Sequence, residues 1–145
     1  MVRVAASSFV GFCILATLVA CDDGPASPKP GESFTLAVGE RAALEAVDAS
    51  VRFLAVSTDS RCPSQVQCVW AGDGAVVLEI APTGSEAAQD TLHTNPESGP
   101  HAAVLAGYEL TLIQLDPHPE TPGGISSDDY RVTLTLSERL AAQPD

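Results

Sequence analysis

The chain has 145 residues, with seven Lys and Arg against nineteen Asp and Glu, a formal net charge of −12, four Cys, eleven Gly, eleven Pro and seven aromatic side chains. That length holds one domain, and the acidity argues against nucleic acid or a bare anionic lipid surface as a partner. No specific activity is legible from composition.

Met1-Val2-Arg3 is a minimal cationic start, and Val4 to Val19 is an apolar run interrupted by Ser7, Ser8, Gly11 and Thr17. The run is shorter than the roughly 20 residues a spanning helix needs. It reads as a secretory signal peptide over residues 1–20. Leu18-Val19-Ala20-Cys21 resembles the lipobox of bacterial lipoproteins, which implies cleavage before Cys21 and acylation of that residue. Two or three acyl chains at ~0.8 kcal/mol per buried CH₂ would hold a small domain on a membrane almost permanently. The implied location is the bacterial cell envelope, facing the periplasm or the cell surface. Removing residues 1–20 takes away Arg3 and no acid, so 125 residues carrying −13 remain.

The same cut settles the cysteines. Cys13 leaves with the signal peptide and Cys21 carries lipid, so Cys62 and Cys68 are left to pair as one short disulfide in an oxidising compartment. Closing so small a loop stabilises by roughly 2–2.5 kcal/mol in the chain-entropy model. A zinc site is the poorer reading, because His93, His101 and His118 stand singly and offer no second ligand pair. Residues 21–32, with three prolines, two glycines and no large apolar side chain after the Cys, read as a tether.

From Ser33 the pattern has period two. Phe34, Leu36 and Val38 alternate with smaller or polar residues, and Ala42–Val47 reads as a second short strand. Val51–Val56 is apolar enough for a central strand, and Val76–Ala81 is a third good run. Gln89–His93 and Ala102–Leu105 are weaker. Tyr108–Leu115 ends at Asp116-Pro117-His118-Pro119, where prolines remove ladder donors. Tyr130–Ser137 sets Tyr130, Val132, Leu134 and Leu136 on one face against Arg131, Thr133, Thr135 and Ser137 on the other. Short strands with one wet face and no intervening helix predict an all-β fold over 33–140, an antiparallel β-sandwich with a small open barrel as the alternative. Residues 141–145 form a C-terminal tail.

Asp59-Ser60-Arg61-Cys62-Pro63 and Cys68-Val69-Trp70-Ala71-Gly72 resemble the signature of a family of small, uncharacterised bacterial envelope lipoproteins. The resemblance covers residues 51–80 best, and it implies an exported, lipid-anchored β-rich domain with no established activity. Read physically, the segment leaves one strand, passes a pinned loop and returns in another. Asp59 and Ser60 suit loop capping, and Arg61 suits a fork to Asp59 or to carbonyls. Trp70 is placed to cover the disulfide or plug the core. Gly72 and Gly74 flank Asp73 in the turn before the next strand.

Asp59, Arg61, Trp70 and Asp73 form the candidate binding surface, Arg and Trp being typical interface anchors. Catalytic signatures are missing: there is no Gly-x-Ser-x-Gly, His-Glu-x-x-His, phosphate loop or EF-hand spacing. The expectation is a non-enzymatic binding or structural module without cofactor or metal, held to the membrane by lipid and facing an unknown envelope protein or ligand. One alternative is an extracytoplasmic protease inhibitor presenting the Arg61-Cys62 loop, whose rigidity limits the entropy lost on binding. Another is a weak metal binder using loop acids such as Asp116, Glu120, Asp128 and Asp129 with the histidines.

Overall fold

The computed structural model describes residues 26–139. The expected signal peptide, the lipidated Cys21 and the C-terminal tail lie outside the described residues. Eight strands run in chain order: β1 Ser33–Ala37, β2 Arg41–Leu44, β3 Ala49–Asp59, β4 Gly74–Pro82, β5 Ala88–His93, β6 Ala102–Leu105, β7 Tyr108–Asp116 and β8 Arg131–Glu138. They form two four-stranded antiparallel sheets, ordered β2-β3-β4-β5 and β1-β8-β7-β6. Neither sheet closes on itself, so the fold is the sandwich and not the barrel. Among the described residues no helix is long and apolar enough to cross a membrane.

The core follows from the alternation. Phe53, Val51, Val76, Leu78 and Leu92 from one sheet meet Leu36, Leu110, Val132, Leu134 and Leu136 from the other, all essentially fully buried. On the outer face of the second sheet, hydroxyls pair across strands, Ser33 with Thr135 at 3.1 Å and Thr35 with Thr133 at 3.0 Å. One face is dry and the other is wet, as the period-two pattern requires.

Three details depart from the sequence expectation. The strand expected over Ala42–Val47 stops at Leu44, and Glu45–Val47 form a 3₁₀ turn closed by Asp48 in the left-handed region at φ 47°. Asp is among the few residues that tolerate that conformation. β3 is longer than Val51–Val56 and carries register shifts after Phe53 and Val56, while β7 carries one after Leu112. In β7 the extra residue is Ile113, which is turned out to solvent so that Leu115 faces the core. The expected tether also reaches the domain sooner than Ser33. Pro28 is buried, Ala26 accepts a 2.8 Å bond from the Ala43 backbone, and the Gly31 amide donates to Leu136.

These pairings set two poles. Ala26 lies against Ala42 and hence near Val51, whereas Asp59 ends the same strand eight residues on. At about 3.3 Å per residue the two points are roughly 25 Å apart. The disulfide loop stands at the pole away from Ala26.

Candidate functional site

The β3–β4 connection is built around Arg61, the one buried charged residue among those described, at 9% exposure. Its guanidinium forks onto Asp59, Nε to Oδ1 at 2.9 Å and Nη2 to Oδ2 at 2.7 Å. It also donates to the carbonyls of Leu115 and Pro117, at 2.5 and 2.8 Å. The β7 bulge that turns Ile113 outward is what brings Leu115 to this position. Asp59 in turn accepts the Arg61 amide at 3.2 Å and the Tyr130 hydroxyl at 3.0 Å. Burial works to raise the Asp59 pKa, but the Arg61 and Tyr130 hydrogen bonds and the Arg61 charge outweigh it and hold the carboxyl below the ordinary range. Burial and the bond donated to Asp59 push the Tyr130 phenol up.

The two arms of the loop are zipped together. The Ser60 amide and hydroxyl both donate to the Asp73 carbonyl, at 2.7 and 3.1 Å, and the Cys62 amide donates to Ala71 at 3.1 Å. Gly72 has φ +70°, and a Cβ there would fall 1.8 Å from the Ser60 carbonyl oxygen. No other residue fits that position without moving the chain. Cys62 and Cys68 form the expected disulfide. Its inner flank rests on the Pro117–Glu120 segment: Ser64 and Gln65 amides donate to Pro119 and Glu120, and His118 Nε2 lies 2.8 Å from the Cys62 carbonyl.

A second polar cluster fixes the return arm. Asp73 Oδ2 lies 2.6 Å from His93 Nδ1, while Oδ1 accepts the Asn95 amide at 3.0 Å and the Thr94 hydroxyl at 3.3 Å. Asn95 Nδ2 donates to the Gly72 carbonyl. Burial raises the Asp73 pKa, and the bonds from His93, Asn95 and Thr94 more than reverse it, so Asp73 also titrates below the ordinary range. The His93 ring is packed under Gly99, where a Cβ would come within 2.3 Å of it. His93, which stood singly in the sequence, ends β5 and bonds internally to Asp73. Its proximity to Asp73 depends on the β4–β5 register, which sets Ala75 opposite His93.

Of the four residues assigned to a binding surface, three face inward. Arg61 is buried, so it does not project from the loop as a protease-cleft anchor would, and Asp59 and Asp73 are engaged in hydrogen bonds within the loop. Trp70 also departs from expectation, in the opposite sense. It neither plugs the core nor shields the disulfide, being 81% exposed beside Val69 at 88%, with Val66 also outward. Trp70 and Val69 border an open groove of about 520 Å³ whose polar wall is Asp73, Asn95, Glu97 and Ser98. Loop residues carry no periodicity, and no sequence signal marks Glu97 and Ser98 as neighbours of Trp70.

Among the described residues no three His, Cys, Asp or Glu side chains come together in a way that would hold a metal, so the loop acids and histidines do not assemble the site proposed for them. The chain matches no family model, no curated protein and no solved structure.

Proposed function

We propose that the protein is a non-enzymatic binding module of the bacterial envelope, anchored by lipid on Cys21, with the Val69–Trp70 tip of its disulfide loop as the contact surface. The observation that carries this reading is the exposure of that tip on a loop fixed from inside. A large apolar pair held at the surface by a disulfide, a glycine turn and a buried Arg–Asp fork loses little conformational freedom when a partner covers it. The lipobox resemblance of residues 18–21 supports the anchor. Cys21 precedes Ala26 by only five positions in the sequence, and Ala26 lies at the pole away from the tip, which supports a tip directed away from the anchor.

Photo-crosslinking in the native envelope tests both halves. With a crosslinker at position 69 of the lipidated chain, one dominant adduct is expected, absent from a control placed at Thr135 and lost with Trp70→Ala. Cys21→Ser should release the domain from the membrane fraction. Equal adducts at 69 and 135, or an adduct indifferent to Trp70→Ala, would remove the loop as the contact surface.

A further inference from the structure

The groove beside Trp70 has a chemistry that narrows its occupant, and this step rests on the loop being the contact surface. Most of its polar wall is already engaged. Ser60 Oγ bonds the Asp73 backbone in both directions. Asp73 is engaged by His93, Thr94 and Asn95, and the Asn95 side chain bridges the Gly72 carbonyl and the Glu97 amide. Among the described residues, the Glu97 carboxylate and the Ser98 hydroxyl make no side-chain hydrogen bond. What the groove offers is therefore one open aromatic face, an apolar neighbour, one uncommitted carboxylate and one uncommitted hydroxyl.

Its charge is one-sided. Asp73 and Glu97 line it, no cation does, and Glu120 follows the loop on its other flank. The loop's own cation, Arg61, is buried and neutralised by Asp59. Elsewhere Arg41 pairs with Glu79 on the outer sheet face. Arg52 donates to the Gly39 carbonyl, and Arg139 stands at the far pole beside Gly107. Arg131 begins β8 opposite Asp116 at the loop end, where it is held by the Asp128 and Tyr130 carbonyls and does not line the groove.

We propose that the Trp70–Glu97 groove receives a Lys or Arg side chain from a basic segment of a partner polypeptide. The alkyl stem lies along Val69, the cation sits over the indole face and its donors reach the Glu97 carboxylate. A desolvated cation over Trp with a carboxylate behind it engages the indole face and the Glu97 carboxylate at once. A saccharide needs several free hydroxyl partners, and this wall has one carboxylate and one hydroxyl.

Trp70 is the single Trp of the chain, so its emission reports the site directly. The probe is a blocked Gly/Ser peptide carrying three arginines, titrated into the lipidated chain in neutral detergent, with the isosteric citrulline peptide and a neutral oligosaccharide as comparisons. A saturable emission change is expected with the arginine peptide and at least a tenfold weaker response to citrulline. Trp70→Ala, followed by calorimetry, should weaken binding roughly 2- to 30-fold, the range of an exposed to a desolvated cation–π contact, and Glu97→Gln roughly 1.5- to 5-fold, the range of an exposed ion pair. Equal binding of the citrulline peptide, preferred binding of the oligosaccharide, or arginine binding unchanged by Glu97→Gln would overturn the assignment. Crosslinks at position 69 without arginine binding would end the cationic assignment and leave the binding module standing. Absence of both would end both.

Discussion

Asp59-Ser60-Arg61 and Cys68-Val69-Trp70 flank the same disulfide, yet one arm is turned into the molecule and the other out of it. The inward arm holds the Arg61–Asp59 salt bridge, from which Arg61 donates to the Leu115 and Pro117 carbonyls and Asp59 accepts the Tyr130 hydroxyl. The outward arm holds the two most exposed large apolar side chains among the described residues. Residue type alone argues the reverse, since Arg is mostly exposed and Trp mostly buried. The inversion separates roles: the charged pair is the loop's internal strut, and the tryptophan is what the strut holds out. A contact surface made from the outer arm can vary without unfolding the domain, provided the inner arm is kept.

Breaking the strut should have the largest effect. Arg61→Ala leaves the Asp59 carboxylate without its counter-ion and the Leu115 and Pro117 carbonyls without their donor. Removing one partner of a buried pair costs about 3–5 kcal/mol, so urea unfolding should shift by that amount. Arg61→Lys should recover only part of it, because an ammonium cannot reproduce the fork. A loss under about 1 kcal/mol for Arg61→Ala, the range of a surface pair, would mean that Arg61 is not the strut.

Acid is the next test of the inner arm. Asp59 and Asp73 both titrate below the ordinary Asp value in the folded state. Their contribution is therefore fully present above the unfolded value near 3.9 and is lost as pH falls through the folded values. Stability should hold from pH 7 to about pH 5 and decline below about pH 4. Asp73→Asn should flatten that decline. Stability that rises steadily from pH 5 to pH 2, through relief of the net negative charge, would show that these two carboxylates are not held as the structure places them.

The strands were legible because burial on one face imposes a period of two, and Tyr130–Ser137 shows it without interruption. What the pattern hides is where that period slips. The β7 bulge moves Ile113 out and Leu115 in, and a list of apolar residues looks the same with or without it. The Asp59–Arg61 fork was legible at its close spacing, while its Leu115 and Pro117 partners, more than fifty residues on, depend on how the second sheet meets the loop. The His93–Asp73 contact likewise needs the β4–β5 register. Trp70 is the sharpest case. In a loop no alternation says which way a side chain points, and its direction is set by the Ser60–Asp73 zipper and the Gly72 turn.

The smallest effect on stability should come from the residue most important to the proposed contact. Trp70 is 81% exposed and takes part in no hydrogen bond among the described residues, so Trp70→Ala removes little buried area. Its unfolding free energy should stay within about 0.5 kcal/mol of the parent, the usual range for an exposed position. Folding would be followed by circular dichroism, because the substitution removes the fluorophore. A loss of 2 kcal/mol or more would mean that the indole packs on the domain in solution, which would return Trp70 to the inner arm and leave the loop without its displayed anchor. A neutral result alongside a severe Arg61→Ala defect is the pattern expected of a rigid support and a dispensable tip, and it makes Trp70→Ala a clean probe of binding.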